Sequence, residues 1–126
     1  GREAVAPFLR LDANGAEAQG RNGLVAQPRT VAVGQPLTLT AWVRHAEPGT
    51  WLEWTKHQGP GEVTFSETEL LVGEPEGSGT VNARFSEPGE YRLLVQAMND
   101  PGSRSPTGGF EFLCCWTNGY VNVIVH

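Results

Sequence analysis

The sequence predicts an all-β antiparallel sandwich of about seven strands, a reading that rests on three observations. Short runs alternate apolar and polar residues with a period of two, no segment carries the 3.6-residue period of a helix, and 16 glycines and 9 prolines punctuate the chain at short intervals. At 126 residues the chain fits one domain and is long enough to bury a core without covalent staples.

The elements follow in order. Residues 1–23 are rich in Gly, Ala, Asn and charge, with one apolar run, "PFLRLD". They are expected to form an extended, loosely held N-terminal arm with an edge strand over Phe8–Leu11, leaving residues 24–126 as the sandwich domain. In "PLTLTAWVRHA", Leu37, Leu39, Ala41 and Val43 share one face while Thr38, Thr40, Trp42 and Arg44 share the other. "TWLEWTKH" places Leu52 and Trp54 on one side, with Trp51, Glu53 and Thr55 opposite. "GPGE" is a turn, because Pro60 presets its own dihedral and the flanking glycines tolerate positive ones. Two short strands, "VTF" and "ELLV", precede a polar separator, "GEPEGSG". "TVNARF" then aligns Val81, Ala83 and Phe85, "YRLLVQAM" aligns Tyr91, Leu93, Val95 and Ala97, and "YVNVIV" aligns Val121, Val123 and Val125.

Within this pattern Glu87–Leu93, "EPGEYRL", resembles the Asp-x-Gly/Ala-x-Tyr-x-Cys pattern that opens strand F of the immunoglobulin fold. Tyr91 stands for the corner tyrosine and Leu93 for the cysteine. Trp54 lies fifteen residues after Leu39, similar to the spacing from the strand B cysteine to the core tryptophan of strand C. The resemblance thus puts a leucine pair, Leu39 and Leu93, where the inter-sheet disulfide usually sits. A disulfide-free sandwich with "FSEPGEYRLLVQAMND" is similar to the immunoglobulin-like and PKD-like domains of exported bacterial proteins, and together with "GPGEVTF" and "GGFEFLCCWTNGYVNV" it resembles a group of such domains that carry a CCWTN motif. The resemblance spans roughly Val31 to Val125 and implies a fold more than a function. It makes Tyr91 and Trp54 packing devices, a corner hydroxyl on backbone and an indole between sheets.

Charge and hydropathy exclude several roles. Nine basic and 14 acidic residues give a net charge of -5, and the cations are scattered, so no clustered positive face is present for nucleic acid. No apolar run reaches the length of a membrane span; no signal-peptide pattern opens the sequence, which leaves open a mature product or an excised domain whose signal or anchor has been removed.

Between Met98 and Tyr120 runs "NDPGSRSPTGGFEFLCCWTNG", where an immunoglobulin-like F-G connection is usually short. Its Phe110, Phe112 and Trp116 mark it as a contact surface. It also holds both cysteines, Cys114 and Cys115, for which three readings stand. In a regular strand they point to opposite faces as two thiols. In a loop they can close a strained vicinal disulfide, since adjacent Cα atoms lie about 3.8 Å apart across a trans peptide, below the usual disulfide range. An intermolecular disulfide or a metal site is the third, and adjacent thiolates suit zinc poorly. Asn99 and Asp100 fall short of a calcium ligand set, and His45, His57 and His126 stand apart as surface or turn residues. No metal or other cofactor is expected.

Catalysis lacks a motif: Glu47, Glu62, Glu74, Glu76, Glu87 and Glu90 fall in turns, and no Ser or Cys sits in a nucleophile context. The chain reads as a non-catalytic interaction or structural module of an exported or envelope-associated (extracellular or periplasmic) bacterial protein. It would contact a protein partner or neighbouring subunit through Phe110, Phe112 and Trp116 of the F-G connection and Phe8 and Leu9 of the arm. The alternative is a carbohydrate-binding module in which Trp42, Trp51 and Trp116 present flat rings to sugars.

Overall fold

A computed structural model describes residues 5–99 and 116–126. Eleven strands are assigned there: β1 (Phe8–Arg10), β2 (Ala18–Gln19), β3 (Leu24–Val25), β4 (Arg29–Val31), β5 (Leu37–Arg44), β6 (Thr50–Gln58), β7 (Val63–Phe65), β8 (Glu69–Val72), β9 (Glu76–Phe85), β10 (Gly89–Met98) and β11 (Trp116–Val125). They form two sheets, one ordered β2-β1-β5-β9-β7 and the other β3-β11-β10-β6-β8, with β4 also on β11. Every pairing is antiparallel except those of β3 and β4, which run parallel to β11. The described residues contain no helix.

The alternation read from the sequence decides what lies between the sheets. Leu39, Ala41 and Val43 of β5 and Val81, Ala83 and Phe85 of β9 are buried against Leu52 and Trp54 of β6, Leu93, Val95 and Ala97 of β10, and Val121, Val123 and Val125 of β11. The Leu39 and Leu93 positions are both buried, so apolar packing stands where a cross-sheet bond would otherwise lie. The Tyr91 hydroxyl donates to the Glu87 carbonyl at 2.7 Å and accepts from the Gly61 amide at 3.0 Å, and its ring meets Phe85 edge-on at 4.9 Å. That pins the β6–β7 turn to the start of β10.

The amino-terminal segment departs from expectation. Instead of a loosely held arm, its described residues are part of the sandwich: β1 pairs with β5 and carries β2 on its other side. Leu9 and Leu11 are fully within the core. The physical reason is their spacing, which turns both side chains inward once Phe8–Arg10 pairs with Trp42–Arg44. The Thr117 hydroxyl, buried and accepting from the Gly20 amide at 2.9 Å, also donates to the Pro7 carbonyl and ties this segment to β11.

Two strands are longer than their composition suggests, for one reason. β9 starts at Glu76, inside the polar "EGSG", and β11 starts at Trp116, through "TNG". A Cβ on Gly79 would meet Leu52 Cδ1 at 2.9 Å, and one on Gly119 would meet Leu11 Cδ1 at 2.7 Å. Glycine at these strand positions makes room for a large side chain from across the core, and does not mark a turn.

Candidate functional site

Because inward and outward residues alternate, each sheet has an outer face, and the two differ. On the five-stranded sheet β5 and β9 present hydroxyls and amides that pair with each other: Thr38 Oγ1 with Asn82 Oδ1 at 2.8 Å and Thr40 Oγ1 with Thr80 Oγ1 at 2.9 Å. Toward the far end of that face lies Trp42, half-buried, with the Arg10 guanidinium 4.8 Å from its ring centroid. Arg44 lies over Phe8 at 4.1 Å and bonds Glu17 at 2.8 Å. The Arg44 hydrogen bond and charge hold the Glu17 carboxyl below its ordinary range.

The six-stranded sheet carries a different surface. Register places Leu71 of β8 opposite Trp51 of β6, Trp51 opposite Met98 of β10, and Met98 opposite Trp116 of β11. These four residues form one row across four strands, at the end where residues 99 and 116 lead into the connection. Leu71 is 54% exposed, while Trp51, Met98 and Trp116 are half-buried. At the end of the row Arg21 sits 5.5 Å from the Trp116 ring centroid, held there by Asn118, whose Nδ2 donates to the Arg21 carbonyl at 3.0 Å. The Trp116 indole N–H is buried and finds no acceptor among the described residues.

The candidate residues therefore separate. Trp42 faces out of one sheet while Trp51 and Trp116 face out of the other, so the three do not form a common platform for a sugar, and the Trp42 ring is covered by Arg10. The outward expectation held for each strand, but alternation does not say which sheet a strand joins. Leu9, expected as a contact residue, is 0% exposed and belongs to the core. Phe8 is half-buried beneath Arg44. Phe110, Phe112, Cys114 and Cys115, with the vicinal-disulfide reading, lie outside the described residues. Met98 and Leu71 were missed: the outward parity of Met98 was legible from the inward set of its strand, that of Leu71 was not, since "ELLV" does not alternate, and their place beside two tryptophans depends on register.

The histidines sit apart. His45 Nε2 bonds the Val5 carbonyl at 2.6 Å while Nδ1 accepts from the Glu47 amide at 3.0 Å, a turn-closing role that fixes its tautomer. His57 meets the Tyr120 ring edge-on at 5.6 Å. Among the described residues no group of three His, Cys, Asp or Glu is placed to hold a metal ion, and no helix is long and apolar enough to cross a membrane.

Two packed sheets, a first long strand and a last one on opposite sheets, and a tyrosine tying the turn before β7 to β10 define an immunoglobulin-like sandwich. Comparison with family models then gives the particular family: the PKD domain model matches residues 23–107, and the chain belongs to the PKD domain family. PKD domains are typically non-catalytic modules of extracellular and surface proteins, and they commonly mediate protein interactions. Among solved structures the chain is similar to WR4, a C. elegans MSP family member, at 13% identity and a TM-score of 0.53, covering 77% of this chain and 92% of that one. It is also similar to the CARDB domain of the PF1109 protein from Pyrococcus furiosus, solved in complex with di-metal ions, at 14% identity and a TM-score of 0.50, covering 99% and 96%. At such identities these likenesses bear on the fold alone. Among curated proteins no match was found.

Proposed function

We propose that this domain is a protein-interaction module of an exported or envelope-associated bacterial protein, and that its contact face is the outer face of the six-stranded sheet at the end where the F-G connection leaves. The observation that carries this reading is the Leu71–Trp51–Met98–Trp116 row. Aromatic residues and methionine are enriched at protein interfaces and depleted of reasons to gather on a solvated sheet face, where single apolar residues are the norm. Phe110 and Phe112 of the F-G connection, which precede Trp116 by only a few residues in sequence, are proposed as further contact residues.

The sugar-binding alternative loses its main support once Trp42 lies on the opposite sheet under Arg10. The arm contributes to the proposed contact only through Arg21 beside Trp116, since β1 is part of the sheet.

The test is site-specific photo-crosslinking in the parent protein in its native envelope, with the photoreactive residue at Leu71 or, on the other sheet, at Thr38. Discrete protein adducts from position 71 and none from position 38 are expected. Equal patterns from the two positions would overturn the assignment of the face.

A further inference from the structure

At the opposite end of β10 from Met98, the same outer face holds an arginine with an unusual environment. Arg92 Nε donates to Asn122 Oδ1 at 3.0 Å, and its guanidinium carbon lies 5.0 Å from the Tyr120 ring centroid. Tyr120 in turn is braced by the ring of His57. The fork is thus fixed at Nε and against an aromatic ring, and neither Nη has an acceptor among the described residues. Arg29 and Arg44, by contrast, are already engaged, with Asp12 at 2.9 Å and Glu17 at 2.8 Å. Beside Arg92 opens a groove of about 350 Å³ lined by Pro28, Gln58, Glu90, Asn122 and Ile124.

A guanidinium whose orientation is set in advance matches a carboxylate through two parallel N–H donors, with less ordering left to do on binding than a free side chain requires. We infer that the Arg92 groove binds a carboxylate, and that its occupant is an Asp or Glu side chain of a partner protein. The surrounding charges select that ligand. Glu90 at the rim and a net charge of -5 on the chain oppose a phosphate cluster or any dense polyanion, but leave room for a single carboxylate beside the Gln58 and Asn122 amides. Pro28 and the half-exposed Ile124 offer apolar flanks for the backbone of a peptide. The inference rests on the interaction-module reading only for the partner being a protein. The groove and the Leu71 row occupy opposite ends of the face.

The experiment is an NMR titration of this chain with a blocked Gly-Glu-Gly tripeptide, its Gly-Gln-Gly counterpart, and glucuronate. Saturable shifts of the Arg92 Nε–H and the Asn122 side-chain amide are expected with the Glu peptide and not with the Gln peptide. Arg92→Gln should weaken the apparent affinity at least about tenfold, the worth of a charge-assisted hydrogen bond. Arg92→Lys, which keeps the charge and loses the fork, should weaken it severalfold, and Asn122→Ala should do so through loss of positioning. Unchanged amide shifts for Ala41 and Val81, buried on the five-stranded sheet away from the groove, establish that each variant is folded. Equal responses to the Glu and Gln peptides, or wild-type affinity in Arg92→Gln, would overturn the site. Shifts with glucuronate alone would overturn the protein partner. Neither outcome depends on crosslinking at Leu71, so the two proposals fail separately.

Discussion

On the outer face of the five-stranded sheet, Thr38, Thr40, Thr80 and Asn82 satisfy one another across β5 and β9, whereas the end of the six-stranded sheet presents Leu71, Trp51, Met98 and Trp116 in register. Both faces hang on the same kind of strand, with the same alternation and a shared core. Folding therefore does not require the difference: a half-buried strand is satisfied by hydroxyls outside as well as by indoles. Apolar outward residues gathered in one row on one sheet are better explained by something they touch.

The largest effect that could break this comparison strikes the core common to both faces. Trp54 is 1% exposed between the sheets, and Trp54→Ala should cost about 3–5 kcal/mol. In urea denaturation both faces should be lost in one transition. Two separate transitions would mean that the sheets are independent units and that their outer faces cannot be compared as faces of one body.

Next in size is the corner. Tyr91→Phe leaves the Gly61 amide and the Glu87 carbonyl without the hydroxyl that serves both, and should cost about 1–3 kcal/mol in the same measurement. A cost near zero would remove the corner from the account of how β6 is tied to β10.

Smaller effects sharpen the comparison itself. Leu71→Ser on the contact face and Thr40→Val on the polar face should each leave stability within about 0.5 kcal/mol of the parent. A neutral Leu71→Ser would show that an exposed leucine is not there to hold the fold. A loss well above about 1 kcal/mol would make the row a structural feature and weaken its reading as a docking surface.

The smallest effect belongs to Glu17 and Arg44, an exposed pair. Since the folded carboxyl titrates below its ordinary range, its contribution is present above the unfolded pKa and is lost as pH falls through the folded one. Glu17→Gln should flatten that part of the acid profile, and 1 M salt should erase most of the difference.

Much of this molecule was legible in its sequence because period-two alternation is a local signal. The inward sets of β5, β10 and β11 follow from spacing alone, while the corner Tyr91 and the inter-sheet Trp54 were read from the resemblance to the immunoglobulin fold. β2, β3 and β4 escaped because strands of two or three residues have no period to read, and their pairing is settled by the longer strands beside them. Gly79 and Gly119 misled in one direction, since a residue that clears space for Leu52 or Leu11 looks in sequence like a turn. The candidate site was half visible: the outward parity of Trp42 and Trp51 was readable, their separation onto opposite sheets was not. Arg92, Asn122 and Tyr120 come together only through the β10–β11 register.

The contact face is tested most directly by hydroxyl-radical footprinting of the isolated domain and of the same domain within its parent assembly. Oxidation of Met98, Trp51 and Trp116 should fall in the assembly while that of Trp42 stays unchanged. Equal oxidation of the row in both states, or protection confined to Trp42, would contradict the assignment of the six-stranded sheet as the face that meets a partner.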